Sequence, residues 1–150
     1  MFDALKKMMS GGNEAEPRSE LDPHVAATAL LVEAALSDGI YADVEAEQIY
    51  NILIAAFKLE PDKAAEMLSR AETLAANAAD HHQFTKVVKA CLPGPERIAL
   101  VEHLWRVALA DGEKSHLEDS FIRRVAPLLA VSDRERVLAR ARAEAAARKH

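Results

Sequence analysis

Two acidic pairs are the residues of this chain whose types and spacing could do chemistry. Asp38 stands directly before a glycine, and Glu45 follows it seven residues later. Asp111 also stands before a glycine, and Glu118 follows it at the same distance. Carboxylate oxygens are the ligands that hard cations such as Ca²⁺ and Mg²⁺ prefer. Each pair is therefore a candidate site for a divalent cation, whose identity the residues leave open.

The same pairs have a purely structural explanation. Glycine commonly ends a helix because it adopts the left-handed conformation. An aspartate before it faces the negative end of the helix dipole, so it needs a partner, either the start of the next helix or a cation. Ser115 to Glu118 matches a capping box, and Ala42 replaces that serine in the first turn, so we expect Glu45 to lack this partner. A structural turn and a metal site both stay open.

The remaining reactive side chains predict no catalytic centre. The single cysteine, Cys91, excludes an intrachain disulfide, and its apolar neighbours predict a buried, inert thiol. We expect His81 and His82 to serve as cap and surface residues, and His103 to be partly buried with its hydrogen bonds satisfied. The chain carries no phosphate-binding, zinc-peptidase or serine-hydrolase motif. We therefore predict that the protein is not an enzyme.

Composition favours one helical domain. Of the 150 residues, 50% are hydrophobic but only 5% are aromatic, and glycine (5) and proline (6) are few. That balance suits packed helices better than a sheet. The net charge of −5 argues against nucleic acid as a partner. No apolar stretch approaches the length of about 20 residues that spans a bilayer, so we expect a cytoplasmic protein that does not cross a membrane.

Local signals divide the chain into a tail and a helical domain. Residues 1–21 read as a flexible N-terminal tail, and residues 22–150 as the domain. Asp22 is the expected cap of the first helix, and Ser132 with Glu135 forms a capping box for the last. Apolar spacing, prolines and glycines predict seven helices, over about 23–38, 43–58, 61–77, 81–92, 94–111, 116–130 and from 132 onward.

The domain contains an internal repeat. Shifting the chain by 73 residues places Asp38 on Asp111 and Glu45 on Glu118. The apolar face repeats as well, with four positions (Ile49, Ile52, Leu53, Ala56) falling on four others (Ile122, Val125, Ala126, Leu129). We therefore predict two related helix-turn-helix units, packed around a pseudo-twofold axis.

Three phrases carry a family resemblance: "LLVEAALSDG", "LWRVALADG" and "E-x-x-x-I-R-R-V-A-P-L-L-A-V-S-D-R". They resemble the TerB-like (tellurite resistance protein B) family over residues 22–142. The resemblance implies an all-helical fold of about seven helices in two similar halves, and a role in resistance to tellurite and chemical stress. It also implies a divalent metal at the acidic turns, a protein partner such as a membrane-bound Ter-type component, and no catalytic activity.

Carried over by position, the family's acidic turn residues are Asp38, Glu45, Asp111 and Glu118. The family commonly has a further acidic residue four positions after each aspartate, where this chain has Ala42 and Ser115. We expect a non-enzymatic, stress-associated binding module that holds a divalent cation at these turns. The alternative is a protein-protein interaction scaffold whose turns are structural and bind no metal.

Overall fold

The computed structural model describes residues 21–37, 39–78, 81–110 and 116–148. These ranges form seven helices and contain no strand, which confirms the predicted all-α class. The helices are α1 (Pro23–Leu36), α2 (Asp43–Ala56), α3 (Pro61–Asn77), α4 (His82–Cys91), α5 (Gly94–Ala108), α6 (His116–Leu128) and α7 (Asp133–Arg148). The predicted tail, except Leu21, lies outside the described residues.

Helix α1 is the centre of the fold. It packs against α2, α3, α4, α5 and α6, and ten of its 14 residues are buried. Its sequence is apolar on all sides, which is the pattern of a helix enclosed by others. Thr28 is fully buried, and its hydroxyl donates a hydrogen bond to the carbonyl of His24 at 2.7 Å. The many alanines of α1 let five neighbouring helices approach its backbone closely.

Both ends of α1 have the capping residues that the sequence predicts, an aspartate before the first turn and a glycine after the last. Asp22 accepts a hydrogen bond from the backbone N–H of His24 at 2.7 Å, as the capping prediction requires. Beyond the last turn, Gly39 has φ +88°, and its N–H donates to the carbonyl of Leu36 at 2.8 Å. This left-handed glycine stops the helix and starts the connection to α2.

Helices α2 and α6 each end two residues earlier than predicted. The residues at the predicted ends, Lys58 and Ala130, have φ values of 57° and 61°. A left-handed residue cannot continue a right-handed helix, so the chain leaves the helix before it. After α6, the N–H of Val131 donates to the carbonyl of Ala126 at 2.9 Å, which satisfies one of the last carbonyls. The pseudo-twofold relation of the two units stays a prediction.

Helix α7 is attached to α5 by small residues and ion pairs. The buried residues of α7 are Ala139 and Ala143, and α5 is its main partner. Glu102 of α5 accepts hydrogen bonds from Arg106 at 2.9 Å and from Arg142 of α7 at 2.8 Å. The predicted capping box holds α7 at its start, where the N–H of Ser132 donates to Glu135 at 2.9 Å.

The prediction of a buried Cys91 is wrong. Cys91 is the last residue of α4 and is exposed. Helix α4 buries Phe84, Thr85 and Val88 against its neighbours, and Leu92 directs the chain back into the core. The thiol therefore lies beside the buried face of this short helix rather than on it.

Candidate functional site

The first acidic turn leads into α2. Asp38 lies outside the described residues, whereas Glu45 is in the first turn of α2 with only 1% of its surface exposed. Its Oε1 accepts a hydrogen bond from the backbone N–H of Ala42 at 2.9 Å. The expectation that Glu45 lacks this partner is wrong, because the donor is a backbone group that alanine retains. Only the reciprocal hydrogen bond from a serine hydroxyl is lost.

Tyr41 and Glu72 interact with each other, and Tyr41 also senses the charge of Glu45. Neither of them was predicted from the sequence as a site residue. The hydroxyl of Tyr41 donates a hydrogen bond to Oε2 of Glu72 on α3, at 2.6 Å. Burial raises the pKa of the Tyr41 hydroxyl, and the carboxylates of Glu72 and Glu45 raise it further. Tyr41 therefore stays protonated and acts as a donor. The two partners are 31 residues apart, and no local spacing signals a contact over that distance.

The second acidic turn leads into α6. Asp111 and the rest of residues 111–115 lie outside the described residues. Glu118 is in the first turn of α6 and, like Glu45, has 1% of its surface exposed. The next residue, Asp119, is partly exposed and lies 3.7 Å from Arg123 and 4.0 Å from Arg140. Neighbouring carboxylates thus have different surroundings, one enclosed and one in a surface ion-pair network.

The two buried glutamates lie on helices with largely different neighbours. Helix α2 packs on α1, α3 and α5, whereas α6 packs on α1, α4, α5 and α7. Among the described residues, α2 and α6 are not an extensively packed pair. The same residues also contain no group of three or more His, Cys, Asp or Glu side chains that could hold a metal ion. A set of three such ligands would therefore have to include side chains outside the described ones.

Helix α5 carries two titratable side chains with shifted pKa values. Burial alone would raise the pKa of the Glu102 carboxyl, but the hydrogen bonds from Arg142 and Arg106 outweigh it and lower that pKa. Burial lowers the pKa of His103 to about 4, and Arg106 adds to this effect while Glu102 opposes it. His103 is therefore neutral at pH 7. It is partly buried as expected, but its Nδ1 is enclosed and has no hydrogen-bond partner in the described part of the chain.

A comparison with protein families decides the assignment. The family model described as "Tellurite resistance protein TerB" matches residues 24–141. The chain belongs to this family. The match confirms the resemblance and runs from the start of α1 into α7 of this TerB protein. No curated protein and no solved structure matches the chain.

The length and apolar character of the helices of the TerB domain bear on whether one of them could span a membrane. Within the described ranges, none of them combines the length and the apolar character needed to cross a bilayer.

Proposed function

We propose that this TerB domain is a non-enzymatic binding module of a tellurite-resistance-like stress system, and that its acidic turns hold a divalent cation. The observation that carries the proposal is the near-complete burial of Glu45 and Glu118, one after each Asp-Gly turn. Carboxylates are rarely enclosed unless they are hydrogen-bonded, ion-paired or bound to a metal. The name of the family supports the link to chemical stress.

Each turn would supply two carboxylates, Asp38 with Glu45 and Asp111 with Glu118. Such an all-oxygen set suits a hard cation, which would neutralise the enclosed negative charge. Its protein ligands would tie the start of α2 or α6 to the turn before it. Because α2 and α6 are not an extensively packed pair among the described residues, two separate sites fit better than one shared site.

Thermal unfolding of metal-stripped protein tests the proposal, with Ca²⁺, Mg²⁺, Mn²⁺ and Zn²⁺ titrated in turn. An ion at 100 times its dissociation constant stabilises the folded state by about 2.7 kcal/mol. For a domain of this size we expect the melting temperature to rise by roughly 5–10 °C. Asp111→Ala and Asp38→Ala should each remove part of this rise, and the double variant should remove all of it.

The matched control is Glu47→Gln, which removes one carboxylate from the exposed side of α2 and should leave the ion effect unchanged. Glu45→Gln and Glu118→Gln keep the shape of the side chain and remove its charge, so they should weaken the ion effect. The cation proposal fails if no ion at millimolar concentration shifts the melting temperature. It also fails if the shift survives in the double aspartate variant.

An interaction scaffold with structural turns is the second candidate, and one observation favours it. Ile40 and Val44 flank the start of α2 with 68% and 41% of their surfaces exposed. Contiguous exposed apolar patches mark protein-binding surfaces, and Ile40 and Val44 would belong to such a patch in this alternative. On this alternative no ion changes the melting temperature. The double variant Ile40→Ser, Val44→Ser should lose a co-purifying partner that Val137→Ser, a control on α7, retains.

A further inference from the structure

A cavity of about 290 Å³ lies between α1, α2 and α5, and neither Glu45 nor Glu118 is among the described residues that line it. Its apolar walls come from Phe57, Leu92, Leu100 and three alanines. Ligand sites in proteins usually measure about 300–1,000 Å³, so this cavity is at the lower limit of that range. A space of this size is sufficient for one small ring system.

The polar groups of the cavity limit the charge of a ligand. His103 contributes an uncharged imidazole, and because its Nδ1 is enclosed, Nε2 is the nitrogen left to hydrogen-bond with a ligand. His24 lies at the same cavity, and its ring meets the ring of Phe57 edge-on with the centroids 4.8 Å apart. Glu96 adds an exposed carboxylate, and none of the described residues that line the cavity is Lys or Arg. An anionic ligand would therefore meet the negative charge of Glu96, and no Lys or Arg among the described lining residues would offset it.

We propose that this cavity is a binding site for a small, uncharged aromatic molecule that carries one N–H or O–H group. The ring would pack against Phe57, Leu92 and Leu100, and the polar group would hydrogen-bond to His103. Phe57 already makes an edge-on contact with His24, and aromatic pairs favour such edge-to-face or offset arrangements, so a ligand ring would add a third member to this pair. This site is independent of the cation proposed for the acidic turns, so either proposal can fail without the other.

Alanine at position 56 keeps the cavity open. Ala56 lines the cavity at the end of α2, and its neighbour Ala55 is exposed on the same helix without lining it. Ala56→Leu should place a larger side chain in the space where the ring would lie. Ala55→Leu adds the same three carbon atoms outside the cavity, which makes it the matched control.

Titration of the full-length, ¹⁵N-labelled protein with indole, followed by backbone amide NMR, tests the proposal. Indole is an uncharged ring system with a single N–H. We expect saturable shifts confined to the start of α1, the end of α2 and α5, with a dissociation constant near millimolar. Ala56→Leu should weaken binding at least tenfold, whereas Ala55→Leu should not change it. His103→Leu should weaken it about fivefold, the effect of one lost hydrogen bond.

A charge series sharpens the test. Indole-3-acetate carries the same ring with a carboxylate and should bind at least tenfold more weakly than indole, and Glu96→Gln should narrow that difference. Equal affinity for both compounds, equal binding by Ala56→Leu, or the absence of saturable shifts would overturn the proposal. Shifts of the same amides with protein concentration alone, without indole, would assign the cavity to a second copy of the chain and would overturn it too.

Discussion

Helices α2 and α6 begin alike and end differently. Each has an enclosed glutamate in its first turn, and each buries an isoleucine at the same position of the repeat, Ile49 and Ile122. At the last repeated apolar position, Leu129 is fully buried whereas Ala56 lines the cavity beside α5. The larger side chain, Leu129, fills the core at the end of α6, whereas the smaller one, Ala56, leaves an accessible space at the end of α2. At the positions of the predicted repeat, the starts of these two helices are therefore more alike than their ends.

Shortening Leu129 should have the largest effect. We expect Leu129→Ala to lower the free energy of unfolding by about 2–5 kcal/mol, because a buried leucine leaves a void that the core fills incompletely. Ala56→Leu should change it by less than about 1 kcal/mol, since the new side chain occupies space that is already open. Urea denaturation of both variants measures the two values. Similar losses in both variants would contradict the difference between the two helix ends.

We expect the free energy of unfolding to decrease at acid pH, mainly because of His103, which lines the cavity. The unfolded chain protonates His103 near its ordinary pKa of about 6.5, but the folded protein does so only near pH 4. Protonation therefore favours the unfolded state as the pH falls from 6.5 to 4, by up to about 3 kcal/mol. Glu102, with its lowered pKa, adds a further loss of stability below the ordinary carboxyl range.

His103→Leu should flatten the stability profile between pH 6.5 and 4, measured by urea denaturation at a series of pH values. His82→Gln is the matched control, because His82 is exposed on α4, and its profile should follow that of the unmodified protein. If His103→Leu kept the full slope, the imidazole would not be the group that titrates in this range.

Removing the carboxylate of Glu45 tests whether the buried glutamates stabilise the first turns of α2 and α6 in the same way. Glu45→Ala should cost about 1–3 kcal/mol, because the N–H of Ala42 loses its acceptor. Glu45→Gln should cost less, since its amide oxygen can still accept that hydrogen bond. The same contrast between Glu118→Ala and Glu118→Gln is expected if α6 begins as α2 does. Thermal and urea unfolding of the four variants would show whether the pairs behave alike.

Substitutions of the left-handed residues that follow α2 and α6 should change the stability of the protein least. Lys58→Gly and Ala130→Gly should each stabilise the protein by about 0.5–1 kcal/mol, because glycine adopts positive φ without steric cost. Gly39→Ala should have the opposite sign, since φ at Gly39 is +88°. Calorimetric melting curves measure all three, and a loss of stability in either glycine variant would show that its side chain contributes more than the backbone strain costs.

The sequence by itself determined the helices and several of their ends. Apolar spacing placed seven helices, and Asp22 and Ser132 marked two starts because a cap bonds to a backbone group two or three residues away. Two positions of the candidate site, Glu45 and Glu118, were also selected by spacing alone, though not their burial. These features depend on neighbours in the chain, which the residue order contains directly.

Tertiary structure decided what those helices enclose. The hydrogen bond from Tyr41 to Glu72, the exposure of Cys91 and the cavity beside Ala56 all depend on how helices distant in sequence approach one another. The pKa of His103 has the same origin, because burial, which lowers it most, comes from packed helices rather than from its position in the sequence. Local spacing fixes which face of a helix is apolar, whereas the packing of all seven helices fixes which polar groups on the edges of that face are sealed from water.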